Sequence, residues 1–336
     1  MLYVGLDYHL NRSTVVILNK DGKKIKTHTV RGGWWEVLKF LRSLGEAFMI
    51  CYEASTGYGV LFEELSKIAT AVKVAHPGQL RLIFRSKRKS DSIDAAKLAK
   101  LLYLDEVPVV YVPHSEIRNW RSAIKYRGGL VDERARTKNQ IRALLRSLVI
   151  KAPRSLWSRA GVAWLQEIEL DDPMAAMQRD ELLQRLEQQT FMIKRVTKVL
   201  DERAKKHPGV QLLMTVPGVG ARTAESVVAW VDNPARFASV RQVAAYFGIV
   251  TCLDSSAGKD RYGRITREGP GIVRKYLVEA AWQGIRRSPR MRAYYERVQR
   301  NDPKRRKVAL VATAHYLVRV LAAMLRTGEV WRAEAA

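Results

Sequence analysis

The chain has little cysteine, few histidines and too few acids to balance its basic residues. Cys51 and Cys252 are the two cysteines in 336 residues. Their separation matches no metal-ligand spacing and makes no disulfide framework, which fits a reducing cytoplasm. The six histidines are scattered singly without the i, i+4 pair of a helical zinc site, so each reads as structural or exposed. No apolar run approaches the roughly 18 to 20 residues of a spanning helix, and the N-terminus passes directly into a strand-like segment without a signal-peptide pattern. Membrane is therefore not expected as a partner. No glycine-rich nucleotide-binding loop is present, so ATP-driven chemistry is not expected either. Acids number 33 against 59 Lys and Arg, a formal net charge of +26. That excess is beyond what solubility needs and points to a polyanion, nucleic acid first.

Four of the scarce acids sit where an α/β domain would aim them at one point. Asp7 closes the apolar run 2–6, and Glu53 closes a second one, 47–52; both read as strand ends. Ligand sites in open α/β sheets gather at the carboxyl ends of strands, so neighbouring strands would bring the two acids to one crevice. Asp91 and Asp94 follow Ser90, a good cap residue, at the start of an Ala-, Lys- and Leu-rich helix, where i, i+3 spacing puts them on one face. Singly, each is an ordinary solvated acid or helix cap. Together they repel, and a divalent cation relieves the repulsion; hard oxygen ligands suit Mg²⁺ or Mn²⁺.

The expected organisation begins with an antiparallel meander: the first strand, 14–18, a turn at Asp21-Gly22, and 26–30. Gly32-Gly33 then breaks the chain before alternating helix and strand to about residue 111, the order of a ribonuclease-H-like fold. Residues 81–89 carry five basic residues, either a solvated loop or a phosphate-gripping arm that includes Arg85, Lys87, Arg88 and Lys89. Residues 117–149 read as a long basic helix with a kink at Gly128-Gly129. Positions 182, 186, 189, 193, 196, 200 and 203 form a heptad seam, packed either on the chain's own long helix or on a second copy.

The last third holds Val216-Pro217-Gly218-Val219-Gly220 followed by Ala221-Arg222, a Pro-Gly-x-Gly turn between two helices. This is the helix-hairpin-helix pattern, in which Gly218, Gly220 and Arg222 would meet a phosphate, or else a plain tight turn. Beyond it, Ser255-Ser256-Ala257-Gly258-Lys259 leads into an arginine-rich loop with Arg261 and Arg264. From Ser255 to Lys307 there are 16 basic residues against 5 acidic. A serine there either hydrogen-bonds a phosphate or attacks it with the help of a base or metal.

These motifs carry a resemblance. Gly5-Leu6-Asp7, Tyr52-Glu53-Ala54-Ser55-Thr56-Gly57, Lys89-Ser90-Asp91-Ser92-Ile93-Asp94-Ala95, Val216-Pro217-Gly218-Val219-Gly220 and Ser255-Ser256-Ala257-Gly258-Lys259 through Gly269 resemble, in order and over nearly the whole chain, the DEDD-type insertion-sequence transposases, relatives of the pilin-gene invertase. The resemblance implies a RuvC-like α/β domain over 1–111, a helical coiled-coil connector over 112–207, and a mainly α transposase domain with helix-hairpin-helix over 208–331. It implies that Asp7, Glu53, Asp91 and Asp94 bind Mg²⁺ and that Ser255 is the nucleophile. Where this chain has Ser255-Ser256-Ala257, the family more often reads Ser-Ser-Gly, which leaves Ser256 as the other candidate.

The expected activity is recombination of double-stranded DNA through a covalent serine–DNA intermediate, with a structured noncoding RNA bridging donor and target. The resemblance further implies homodimers that pair into a tetramer on DNA, in the nucleoid of a bacterial cytoplasm. Two other classes use the same features: a RuvC-like endonuclease that hydrolyses branched DNA with the acids alone, and a non-catalytic nucleic-acid-binding protein.

Overall fold

A computed structural model describes residues 1–84, 90–256 and 258–332, and the chain divides into two compact units, Met1–Arg118 and Asn119–Ala336. In the first, β1 (Leu2–Asp7), β2 (Arg12–Leu18) and β3 (Lys24–Arg31) form the expected meander. The β2–β3 turn is held by Asn19, whose Oδ1 accepts from the N–H groups of Asp21 (3.0 Å) and Lys23 (2.9 Å), while Gly22 supplies φ +73°. After α1 (Trp34–Arg42), β4 (Phe48–Glu53) pairs parallel with β1; after α2 (Tyr58–Leu65), β5 (Ala71–Ala75) pairs parallel with β4. The five strands lie in the order β3-β2-β1-β4-β5. Short α3 (Pro77–Ile83) precedes α4 (Asp91–Tyr103), whose Ser90 cap accepts from the N–H of Ile93 as expected. One sheet face buries Val4, Leu6, Val15, Ile17 and Ile50 with Val37, Leu38 and Leu41 of α1.

Among its described residues, the second unit is helical apart from one hairpin. Helix α5 (Ser115–Ser147) is one helix through Gly128 and Gly129, where the kink is expected. Gly128 also serves packing: a Cβ there would stand 2.6 Å from Cδ1 of Ile272. After α6 (Arg159–Glu167), the heptad seam lies on α7 (Pro173–Lys206). Of the two packings open to it, the seam takes the intramolecular one where it begins: Leu182 and Leu186 share a core with Ile141 and Leu145 of α5.

Helices α8 (Pro208–Met214), α9 (Ala221–Val231) and α10 (Val240–Tyr246) lead to the strands β6 (Thr251–Ser256) and β7 (Lys259–Ile265), then to α11 (Gly271–Arg287), α12 (Pro289–Gln299) and α13 (Arg306–Thr327). The last of these corrects an expectation. The segment Pro303–Thr327 is long and apolar enough to cross a bilayer by length and composition. In this fold Ala314, Leu317, Val318 and Leu321 of α13 are buried, and the helix packs on α10, α11 and α12.

Candidate active site

Glycine and strand register build the acidic site. Because β1 and β4 run parallel with Leu6 opposite Tyr52, Asp7 and Glu53 end neighbouring strands on the same side of the sheet. Helix α4 reaches them because residue 5 has no side chain: a Cβ on Gly5 would lie 2.0 Å from the carbonyl oxygen of Ala95 and 2.5 Å from the nitrogen of Ala99. That close approach seats α4 on β1, and its first turn presents Asp91 and Asp94. All four acids line one cavity of about 1290 Å³, together with Tyr8, His9, Leu10, Arg81, Phe84 and Lys97.

The acids of this cavity crowd one another. Asp7, half-buried, has its carboxyl pKa raised, first by loss of solvent and then by Asp91 and Asp94; His9 opposes the shift. Ligand atoms of Asp7, His9 and Asp91 lie within 4.8 Å of one another, and His9 Nε2 is 3.5 Å from Asp7 Oδ1. Lys97 Nζ sits 3.1 Å from Asp94 and 5.3 Å from the centre of the Phe84 ring. Glu53 and Asp91 are exposed, and neither has an ion pair among the described residues. From sequence, His9 reads as an ordinary scattered histidine. Its i, i+2 spacing from Asp7 is the available signal, weakened because His9 lies past the strand end in the loop to β2.

The serine expected in a loop is on a strand. Ser255 and Ser256 are the last residues of β6, both exposed, with Ser255 opposite Asp260 and Ser256 opposite Lys259. Asp254 opposes Arg261, and Lys259, Arg261 and Arg264 all face solvent on β7. A histidine base near Ser255 is missing from the sequence; the acid opposite it is Asp260, which only the hairpin register brings across.

At the Pro-Gly-x-Gly turn, α8 and α9 flank the motif. Gly218 (φ +90°) packs on α11, where a Cβ would stand 2.5 Å from the nitrogen of Gly284, while Gly220 is open. Arg222 departs from the phosphate role expected of it. Its guanidinium is 2.5 Å from Asp201 and 3.2 Å from Glu225, with 16% of the side chain exposed, so its charge is spent tying α9 to α7. Arg85, Lys87, Arg88 and Lys89 lie outside the described residues.

Carboxylates gathered at the carboxyl end of an α/β sheet, in so basic a chain, are equipment for processing nucleic acid. Comparison with known proteins narrows the class. Residues 4–150 match the family described as Transposase, of the DEDD IS110 type, and residues 210–296 match the Transposase IS116/IS110/IS902 family. The chain is 27% identical over 73% of its length to the transposase candidate y4qE of Sinorhizobium fredii, covering 60% of that relative. It is 26% identical to the transposase for insertion sequence element IS1328 of Yersinia enterocolitica, covering 69% of this chain and 70% of the relative. To the transposase for IS1533 of Leptospira borgpetersenii it is 24% identical, covering 84% and 85%. The chain belongs to the IS110/IS116/IS902 family of insertion-sequence transposases.

Proposed function

We propose that this transposase cuts and rejoins double-stranded DNA by transesterification through a covalent serine–DNA intermediate. The observation that carries the reading is the convergence of Asp7, Glu53, Asp91 and Asp94 on one cavity. The strand order β3-β2-β1-β4-β5 supports a ribonuclease-H-like, RuvC-like domain in residues 1–111, followed by a connector over 112–207 and a transposase domain over 208–331. The donor set fits Mg²⁺ or Mn²⁺: it is oxygen-rich, and Asp7 carries the mutual repulsion that a cation relieves. Bound there, the metal supplies Lewis-acid polarisation of a scissile phosphate.

The nucleophile is the hydroxyl of Ser255, with Ser256 its neighbour. Its oxygen forms a bond to phosphorus and gives up its proton to water as the bond to the leaving strand's oxygen breaks, and the leaving oxygen takes up a proton from water to depart as a hydroxyl. The protein–phosphate ester keeps the phosphodiester's energy, so attack by another strand's hydroxyl restores DNA without ATP. Lys259, Arg261 and Arg264 flank the serines on the exposed hairpin and hold phosphate oxygens. The turn at Gly218 and Gly220 acts as a helix-hairpin-helix whose backbone N–H groups meet the backbone of the duplex. A structured RNA bridges donor and target, and homodimers assemble into a tetramer on the DNA, in the nucleoid of a bacterial cytoplasm.

The test is incubation of the protein with Mg²⁺, element-end and target DNA, and the element's noncoding RNA, followed by denaturing electrophoresis. The parent is expected to give a protein–DNA adduct and joined product. Ser255→Ala is expected to fold normally, since the side chain is exposed, and to give neither. Cutting without joining by Ser255→Ala would replace this reading with a hydrolytic endonuclease, and full activity in Asp91→Ala would remove the metal from it.

A further inference from the structure

We propose that Arg12 and Arg31 form a clamp for a backbone phosphate of DNA beside the acidic cavity, on the sheet face that carries Asp7. The inference rests on the DNA-processing reading above and adds to it the place where the strand is gripped next to the carboxylates.

Strand alternation fixes the face. Val16 of β2 shares a core with Ala95 and Ala99 of α4, and residues two apart on a strand share a face, so Thr14 and Arg12 lie on the α4 side as well. On β1 that face holds Gly5, against the backbone of α4, and then Asp7. The register sets Asp7 opposite Thr14, Thr14 opposite Thr29, and Arg12 opposite Arg31. The arginines are therefore a facing pair on the same side of the sheet as Asp7, one and two strands over and about 7 Å further along. The connecting loop leads from one to the other: Tyr8, His9 and Leu10 line the acidic cavity, and Arg12 follows at the start of β2. Helix α4 packs on β1, β2 and β4, while Thr27, Thr29 and Arg31 of β3 are exposed.

Charge selects the occupant. Arg12 and Arg31 are both exposed, and neither has an ion pair among the described residues. Like charges directly opposite on neighbouring strands destabilise the pair, and an anion between them reverses the sign. The Thr29 hydroxyl adds a neutral donor on the same face. A strand of DNA carries a phosphate at every nucleotide, so one can rest on the arginines while another stands at the carboxylates. An acidic peptide would satisfy the arginines alone.

The experiment is fluorescence-anisotropy binding of element-end duplex DNA, and of RNA of the same sequence, to the full chain over a salt series. It is repeated with DNA duplexes in which one phosphate at a time is a neutral methylphosphonate. Arg12→Gln with Arg31→Gln is expected to weaken DNA binding about tenfold and to lower the salt slope by about 0.9 for each phosphate no longer neutralised. Arg12→Lys with Arg31→Lys is expected to keep most of the slope. A methylphosphonate at the clamped position is expected to weaken the parent and to have no further effect on the glutamine variant. Because that variant loses a like-charge pair, its DNA-free denaturation midpoint is expected to equal or exceed the parent's. Unchanged affinity and slope, a loss spread evenly over all methylphosphonate positions, a lowered midpoint, or an effect confined to RNA overturns the clamp while leaving the transposase reading intact. Failure of the parent chain to bind any DNA removes both.

Discussion

The two units handle buried or crowded carboxylates in opposite ways. In the second, Glu225 is wholly buried but lies 3.2 Å from Arg222, which also holds Asp201; Arg127 lowers its pKa as well, and the Trp120 indole N–H faces it. In the first, Asp7, Glu53, Asp91 and Asp94 share a cavity lined also by Lys97, which pairs with Asp94, by His9 beside Asp7, and by Arg81. Glu225 is enclosed with arginine and ties helices together. Glu53 and Asp91 are exposed, with no ion pair among the described residues, and open on a cavity, and that difference separates a carboxylate that holds helices from carboxylates that a ligand can reach.

The comparison breaks most forcibly at Gly5. Gly5→Val puts a side chain into the backbone of α4, and is expected to cost about 3 kcal/mol of stability, to displace Asp91 and Asp94 from Asp7, and to abolish strand cutting. Chemical denaturation and cleavage assays on one preparation check this. Normal stability with normal cutting would mean that the α4 approach does not assemble the site.

Glu225 sharpens the other side. Burial raises its pKa from 4.5 to about 7, against the pull of Arg222 and Arg127. The folded chain then keeps a proton that the unfolded chain releases near 4.5. Its contribution is fully present below about pH 4.5 and is lost as pH rises toward 7, by up to about 3 kcal/mol. Unfolding free energies of Glu225→Gln measured across that range should lack this decline. An identical pH profile in the variant would show that Arg222 keeps Glu225 ionised throughout.

Much of this was legible in the sequence, for physical reasons. The meander showed because Asp21-Gly22 marks a tight turn between apolar runs, and Asp7 and Glu53 showed because each ends such a run. The β6–β7 hairpin did not, because all of Thr251–Ser256 is exposed and carries no alternating apolar face to read. Gly128 and Gly218 signal a kink and a phosphate turn; the close approaches of Ile272 and α11 that each glycine also permits are long-range packing that local spacing does not encode. The heptad seam fixed which face of α7 would be buried without saying against what. Arg222 sits beside a turn motif in sequence and between two carboxylates in space.

The central claim is that the four carboxylates form one divalent-cation site. Titration of Mn²⁺ into the DNA-free protein, read by the electron paramagnetic resonance of the free ion, tests it most directly. Saturable binding that is lost in Asp7→Ala and in Asp91→Ala, with both variants folded, is the predicted result. Binding that persists unchanged in both variants would place the metal elsewhere and contradict the account.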